Sequence, residues 1–95
     1  MNKREFISVV SENLDMTKKD VAAVVNETLF QITAALSNGE KVHFSGFGSF
    51  QSRVKDARTA RNPKTGEEVE VPACVVPVFK AGRIMKDRLS SEQLR

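Results

Sequence analysis

Residues 55–68 lie between two stretches with strand character, yet they contain no large apolar side chain; apart from Pro63, only Ala57 and Ala60 are apolar. A β-hairpin with nothing to bury gains little by lying on the body of a small domain. The sequence therefore predicts an arm held out from the rest of the fold, ordered only when a negatively charged surface lies beside it. Its charge points the same way. Arg53, Lys55, Arg58, Arg61 and Lys64 face one acid, Asp56, so this stretch carries +4, more than the +3 of the whole chain. Cations concentrated in one stripe are what a polyanionic partner requires.

The flanking sequence accounts for the body. Phe6, Ile7, Val10 and Leu14 recur at helical spacing over residues 2–14, leaving Lys3, Arg4, Glu5, Glu12 and Asn13 for water. Thr17 is placed to cap a second helix with Asp20 in its first turn. That helix should run to about Ser37, with Val21, Val25, Thr28 or Leu29, Ile32 and Leu36 on one face, and stop at Asn38-Gly39. Val24, Leu29, Phe30 and Ala35 widen the face, so the helix should meet more than one neighbour. Two helices joined this closely predict an antiparallel hairpin.

From Lys41 the period falls from 3.6 to 2. Val42 and Phe44 mark one strand and Ser45-Gly46-Phe47-Gly48 a turn. Phe50, Ser52 and Val54 share one face of a second strand. Asn62-Pro63-Lys64-Thr65-Gly66 is a turn signal. Val69 and Val71 restart a strand that Val75, Val76, Val78 and Phe79 continue into the core. After Gly82 a last helix runs from Arg83 to about Leu89, and Ser90 to Arg95 reads as a frayed tail.

At 95 residues the chain is one domain in length, and a domain of this size buries only about 60–65% of its unfolded surface. A partner subunit would add stability. All six aromatics are Phe, which suits packing better than ligand recognition. The single cysteine, Cys74, excludes an intramolecular disulfide. The opening MNKREF lacks the apolar run of a signal peptide, and no apolar stretch reaches membrane-spanning length. These features predict a soluble intracellular protein with no membrane association. His43 and Cys74 form neither an evident metal site nor a catalytic dyad. No constellation suggests an enzyme, a cofactor or a small-molecule substrate.

The stretch GFGSFQSRVKDARTARNPKTGEEVEVP, followed by VPVFKAGRIMKD, resembles the bacterial histone-like DNA-binding proteins, the HU/IHF family, and is closest to HU. The likeness runs from the N-terminal MNK to Lys86-Asp87, and the spacing of Gly46-Phe47, Phe50, Lys55, Arg58, Ala60, Asn62-Pro63 and Thr65 matches the family signature. The resemblance implies an intertwined homodimer, with two helical hairpins as a base, two sheets as a saddle and two arms reaching round double-stranded DNA. Architectural proteins of this family place the proline at each arm tip between base pairs. It further implies cytoplasmic, nucleoid-associated action, with a preference for bent, nicked or kinked duplexes.

The residue chemistry agrees. Pro63 is a compact apolar ring without an N–H, able to enter an unstacked step. Arg58 and Arg61 suit the negative potential of a narrow minor groove, and Asn62 can donate to acceptors shown alike by A·T and T·A pairs. With Arg53, Lys55 and Lys64 they make up the candidate arm contacts. Lys3, Lys80, Arg83 and Lys86 lie outside the arm, where the family holds phosphates of the returning DNA. Leu29, Ile32, Leu36, Phe44, Phe47, Phe50 and Phe79 are expected in the core or dimer interface. The sequence departs from the family pattern at Asn26, where an Asp able to pair with Lys3 is usual, at Val75, where Lys is common, at Ala60, often Gly, and in a longer tail beyond Leu89.

The expected fold is α+β: an N-terminal helical hairpin (about residues 1–40), a three-stranded antiparallel sheet with a long protruding β-arm (about 41–80, the arm about 54–72) and a short C-terminal helix (about 83–90). The expected function is bending and compaction of DNA with little sequence preference. A site-specific bender like IHF is an alternative, as is a protein-interaction module whose basic arm docks an acidic partner. Taken singly, the features have plainer readings: an Arg/Lys-rich strand as a solvated face, Pro63 as a turn former, His43 as a surface residue and Cys74 as a small hydrophobe.

Overall fold

A computed structural model describes residues 1–94 as two compact units, one spanning Met1–Ala35 and the other beginning at Leu36. The first contains α1 (Lys3–Leu14) and most of α2 (Lys18–Ser37). Asn2 caps α1, its side chain accepting the Glu5 N–H at 2.9 Å, and Asp15 ends the helix in the left-handed region at φ 53°. Thr17 caps α2 as its sequence position predicts, accepting the Asp20 N–H at 3.1 Å. Val21 is the buried hydrophobic residue of the described chain, at 3% exposure. Ile7, Val10, Val25 and Ile32 are half-buried, whereas Phe6, Leu14, Leu29 and Phe30 remain exposed. Ser11 lies inside, its hydroxyl donating to the Ser8 carbonyl at 2.8 Å. That bond satisfies a polar group which periodicity assigns to no apolar face.

In the second unit, β1 (Val42–Phe44), β2 (Gly48–Lys55) and β5 (Cys74–Ala81) form an antiparallel sheet in the order β1-β2-β5. A separate two-stranded sheet pairs β3 (Arg58–Arg61) with β4 (Glu68–Val71). The pairs Lys55↔Cys74 and Arg58↔Val71 belong to one register, so both sheets are parts of a single long hairpin. Asp56-Ala57 and Pro72-Ala73 stand unpaired between them. The continuous strand expected over residues 69–79 is thus two strands. Pro72 supplies no N–H to the ladder, and its ring restricts the preceding residue. Pro77 is tolerated within β5 because that strand lies at the sheet edge, where a missing donor also discourages pairing with another chain.

Paired residues in an antiparallel ladder share a face. Val42, Phe44, Phe50, Phe79, Val54 and Val75 therefore lie on one side of the three-stranded sheet, and His43, Lys80, Arg53 and Lys55 on the other. The phenylalanines cluster, with ring centroids 4.9 Å apart for Phe50–Phe79, 5.4 Å for Phe47–Phe79 and 6.3 Å for Phe44–Phe50. Phe44, Phe47 and Phe79 nevertheless keep 41–47% of their surface exposed. Gly48 makes the strand start beneath them possible. Its φ is +156°, and a Cβ there would lie 2.5 Å from the Lys80 carbonyl oxygen and 2.7 Å from the Phe79 ring. Gly48→Ala is expected to cost about 2–5 kcal/mol through overpacking and backbone strain, read as a lower denaturation midpoint with an unchanged slope.

The last helix, α3 (Arg83–Gln93), continues about a turn beyond the expected end. No Gly or Pro interrupts Ser90-Ser91-Glu92-Gln93, and the Leu94 N–H still bonds the Ser90 carbonyl at 3.0 Å. The expected frayed tail is therefore helical to Gln93, and Arg95 lies outside the described residues. Among the described residues no helix is long and apolar enough to cross a membrane.

Candidate nucleic-acid interface

The arm is built from its tip inward. The Asn62 N–H donates to the Glu67 carbonyl at 2.8 Å and the Gly66 N–H to the Asn62 carbonyl at 2.8 Å. These bonds close a four-residue turn, Pro63 to Gly66, in which Gly66 takes φ 75°. Asn62 Oδ1 accepts the Lys64 N–H at 2.9 Å, and Thr65 Oγ1 accepts the Glu67 N–H at 3.3 Å. With the Asn62 oxygen committed to the turn, its amide NH2 is left to donate outward. Pro63 sits exposed beyond the last strand pair. The turn's own hydrogen bonds and a ladder in step with the larger sheet give the arm the geometry of a regular hairpin.

The sequence-predicted site residues fall into four places. Arg53, Lys55 and Lys80 share one face of the three-stranded sheet; Arg53 and Lys80 stand on neighbouring strands and Lys55 lies next to the arm. Arg58, Arg61, Asn62, Pro63 and Lys64 belong to the arm. Arg83 and Lys86 lie exposed on α3, where Arg83 Nε stands 3.7 Å from the Asp87 carboxylate, a solvent-screened pair. Lys3 lies in the other unit, in a cleft of about 680 Å³ that Arg4, Lys18, Lys19 and Asn26 also line. Lys3 and Asn26 thus line the same cleft, and no carboxylate is among its lining residues.

The matching family model, described as bacterial DNA-binding protein, spans residues 1–90. The chain belongs to this family, that of HU and IHF. DNA-binding protein HU 1 of Bacillus subtilis is 45% identical over 92 residues, covering 97% of this chain and 100% of that one. DNA-binding protein HU of Geobacillus stearothermophilus is 48% identical over 87 residues, or 92% and 97% of the two chains. Among solved structures, an Anabaena HU–DNA cocrystal structure matches with a TM-score of 0.89 and 46% identity over 95% of this chain and 98% of that one.

Against the HU-type arm, reading the sequence along one strand misses two sets of residues. Lys18 and Lys19 join Lys3 and Arg4 only once α1 and α2 are folded together. Glu68 and Glu70 join Arg61 and Thr59 only once β4 pairs with β3. The Glu-Val-Glu-Val alternation is visible, but not which basic residues it will face.

Proposed function

We propose that this protein is a histone-like architectural protein. As a homodimer it binds double-stranded DNA through the β3–β4 arms in the minor groove, bends it with little sequence specificity, and so compacts the nucleoid in the bacterial cytoplasm. The exposed Pro63 at the tip of a hairpin that pairs with no other strand carries this reading. A rigid, uncharged ring at the tip of an arm that carries Arg58, Arg61 and Lys64 suits a wedge between base pairs. Arg58 and the Asn62 amide suit the groove. The face bearing Arg53, Lys55 and Lys80 suits the phosphates beside it, as do Lys3, Arg83 and Lys86 on the body. Solution of the Anabaena HU relative together with DNA supports the same partner.

The homodimer follows from burial. A 95-residue chain whose buried hydrophobic set among the described residues is Val21 has not completed a core on its own. Phe30, Leu29, Phe44, Phe47 and Phe79, each more than 40% exposed, supply the apolar surface a second copy would cover.

Pro63→Ala tests the wedge. It removes no charge, so the dependence of affinity on salt should stay nearly unchanged. It does remove the group that offsets unstacking, a cost of a few kcal/mol per step. The variant is expected to lose more affinity on intact linear duplex than on a pre-kinked one of equal length. The bend angle, read by energy transfer between labelled DNA ends, should shrink. Equal losses on both duplexes with an unchanged bend would leave Pro63 a turn former and the arm a purely electrostatic clamp.

A further inference from the structure

Residues 58–71 contain three cations, Arg58, Arg61 and Lys64, and three carboxylates, Glu67, Glu68 and Glu70. Its net charge therefore does not draw this segment to DNA; what matters is how the ladder sorts the charges. The pairs Arg58↔Val71 and Ala60↔Val69 put Arg58, Ala60, Val69 and Val71 on one face. The pairs Thr59↔Glu70 and Arg61↔Glu68 put one cation and two carboxylates on the other. The first face is apolar with a single positive charge, and Ala60 and Val71 on it are half-buried. The second is wholly exposed and net negative.

We infer that Glu68 and Glu70 are orientation-determining residues, which hold their own face away from the phosphates and turn the Arg58–Ala60–Val69–Val71 face into the minor groove. This rests on the minor-groove reading proposed above. A narrow minor groove concentrates negative potential and repels a net negative face. Its walls are deoxyribose rings, against which Ala60, Val69 and Val71 can lose water without stranding a polar group. Arg61 shares its face with Glu68 and Glu70, which leaves Arg58 as the cation on the face turned to the groove. The carboxylates select between the faces by exclusion and need not touch the DNA themselves.

Tethered cleavage tests the inference. In a Cys74→Ser background, an iron–EDTA reagent is attached to V69C in one derivative and to T59C in another, and each is bound to a short duplex. The V69C reagent is expected to cut minor-groove deoxyriboses several-fold more strongly than the T59C reagent. Adding E68Q and E70Q should raise affinity several-fold at low salt and let the T59C reagent cut as well. Loss of binding by the V69C derivative alone would also mark that face as the one pressed on DNA. Equal cutting by both derivatives with the carboxylates intact, or loss of binding by the T59C derivative alone, would overturn the inference and leave the minor-groove reading standing. Bound protein with no minor-groove cutting from either position would overturn both.

Discussion

Raising the salt concentration from 50 to 200 mM is expected to weaken binding to duplex DNA about 10³–10⁵-fold, the loss that accompanies neutralisation of about 6–10 phosphates. The candidate cations can reach that number. Each chain offers Arg53, Lys55 and Lys80 on one sheet face, Arg58 and Lys64 on the arm, and Lys3, Arg83 and Lys86 on the helices. A homodimer doubles the set. Because residues 58–71 are neutral overall, the steepness should come mainly from the sheet and the helices. Arg53→Ala should therefore flatten the slope of log affinity against log salt by about one unit for each phosphate that the arginine had neutralised, to a similar degree on every sequence. Titrations by fluorescence anisotropy at several salt concentrations would measure both. A flat response would remove electrostatic binding as the basis of the function, and a large preference for one site would favour an IHF-like bender.

Phe79→Ala should be the most damaging single truncation of the apolar cluster, at about 3–5 kcal/mol per chain. The Phe79 ring makes the two shortest ring contacts of the group, with Phe50 at 4.9 Å and Phe47 at 5.4 Å, so its removal forfeits the most ring packing. The native protein should sediment at twice its 10.5 kDa chain mass at micromolar concentration. Its denaturation midpoint should rise with protein concentration, as it must when folding and association are linked. In the Phe79→Ala variant both the midpoint and the dimeric fraction should fall together. A folded, stable monomer in either protein would show that the exposed phenylalanines are not an interface.

Much of this is legible in the residues themselves, wherever the governing physics is local. Thr17 before an acidic first turn names a helix start because the bond it makes spans three residues. The Asn62–Gly66 turn is legible for the same reason: Asn, Pro and Gly each meet a backbone requirement of their own position. The end of α3 is less legible because nothing local stops that helix. Polar composition suggests fraying there, and composition is a weak guide where no breaker intervenes.

The sequence alone therefore determined the elements, the turn that places Pro63 at a tip, and the local surplus of cations that calls for a polyanion. Tertiary structure decided which side chains stand together. The four-residue turn sets the register, and a slip of one residue would move every side chain to the opposite face. That register puts Glu68 beside Arg61 and joins Val69 and Val71 to Ala60. It also leaves Pro72 in the gap between the two sheets. In the helical unit, the meeting of Lys3 with Lys18, Lys19 and Asn26 depends on how α1 and α2 come together. Each of these neighbourhoods joins residues distant along the chain, and periodicity within one element carries no information about the element it will face.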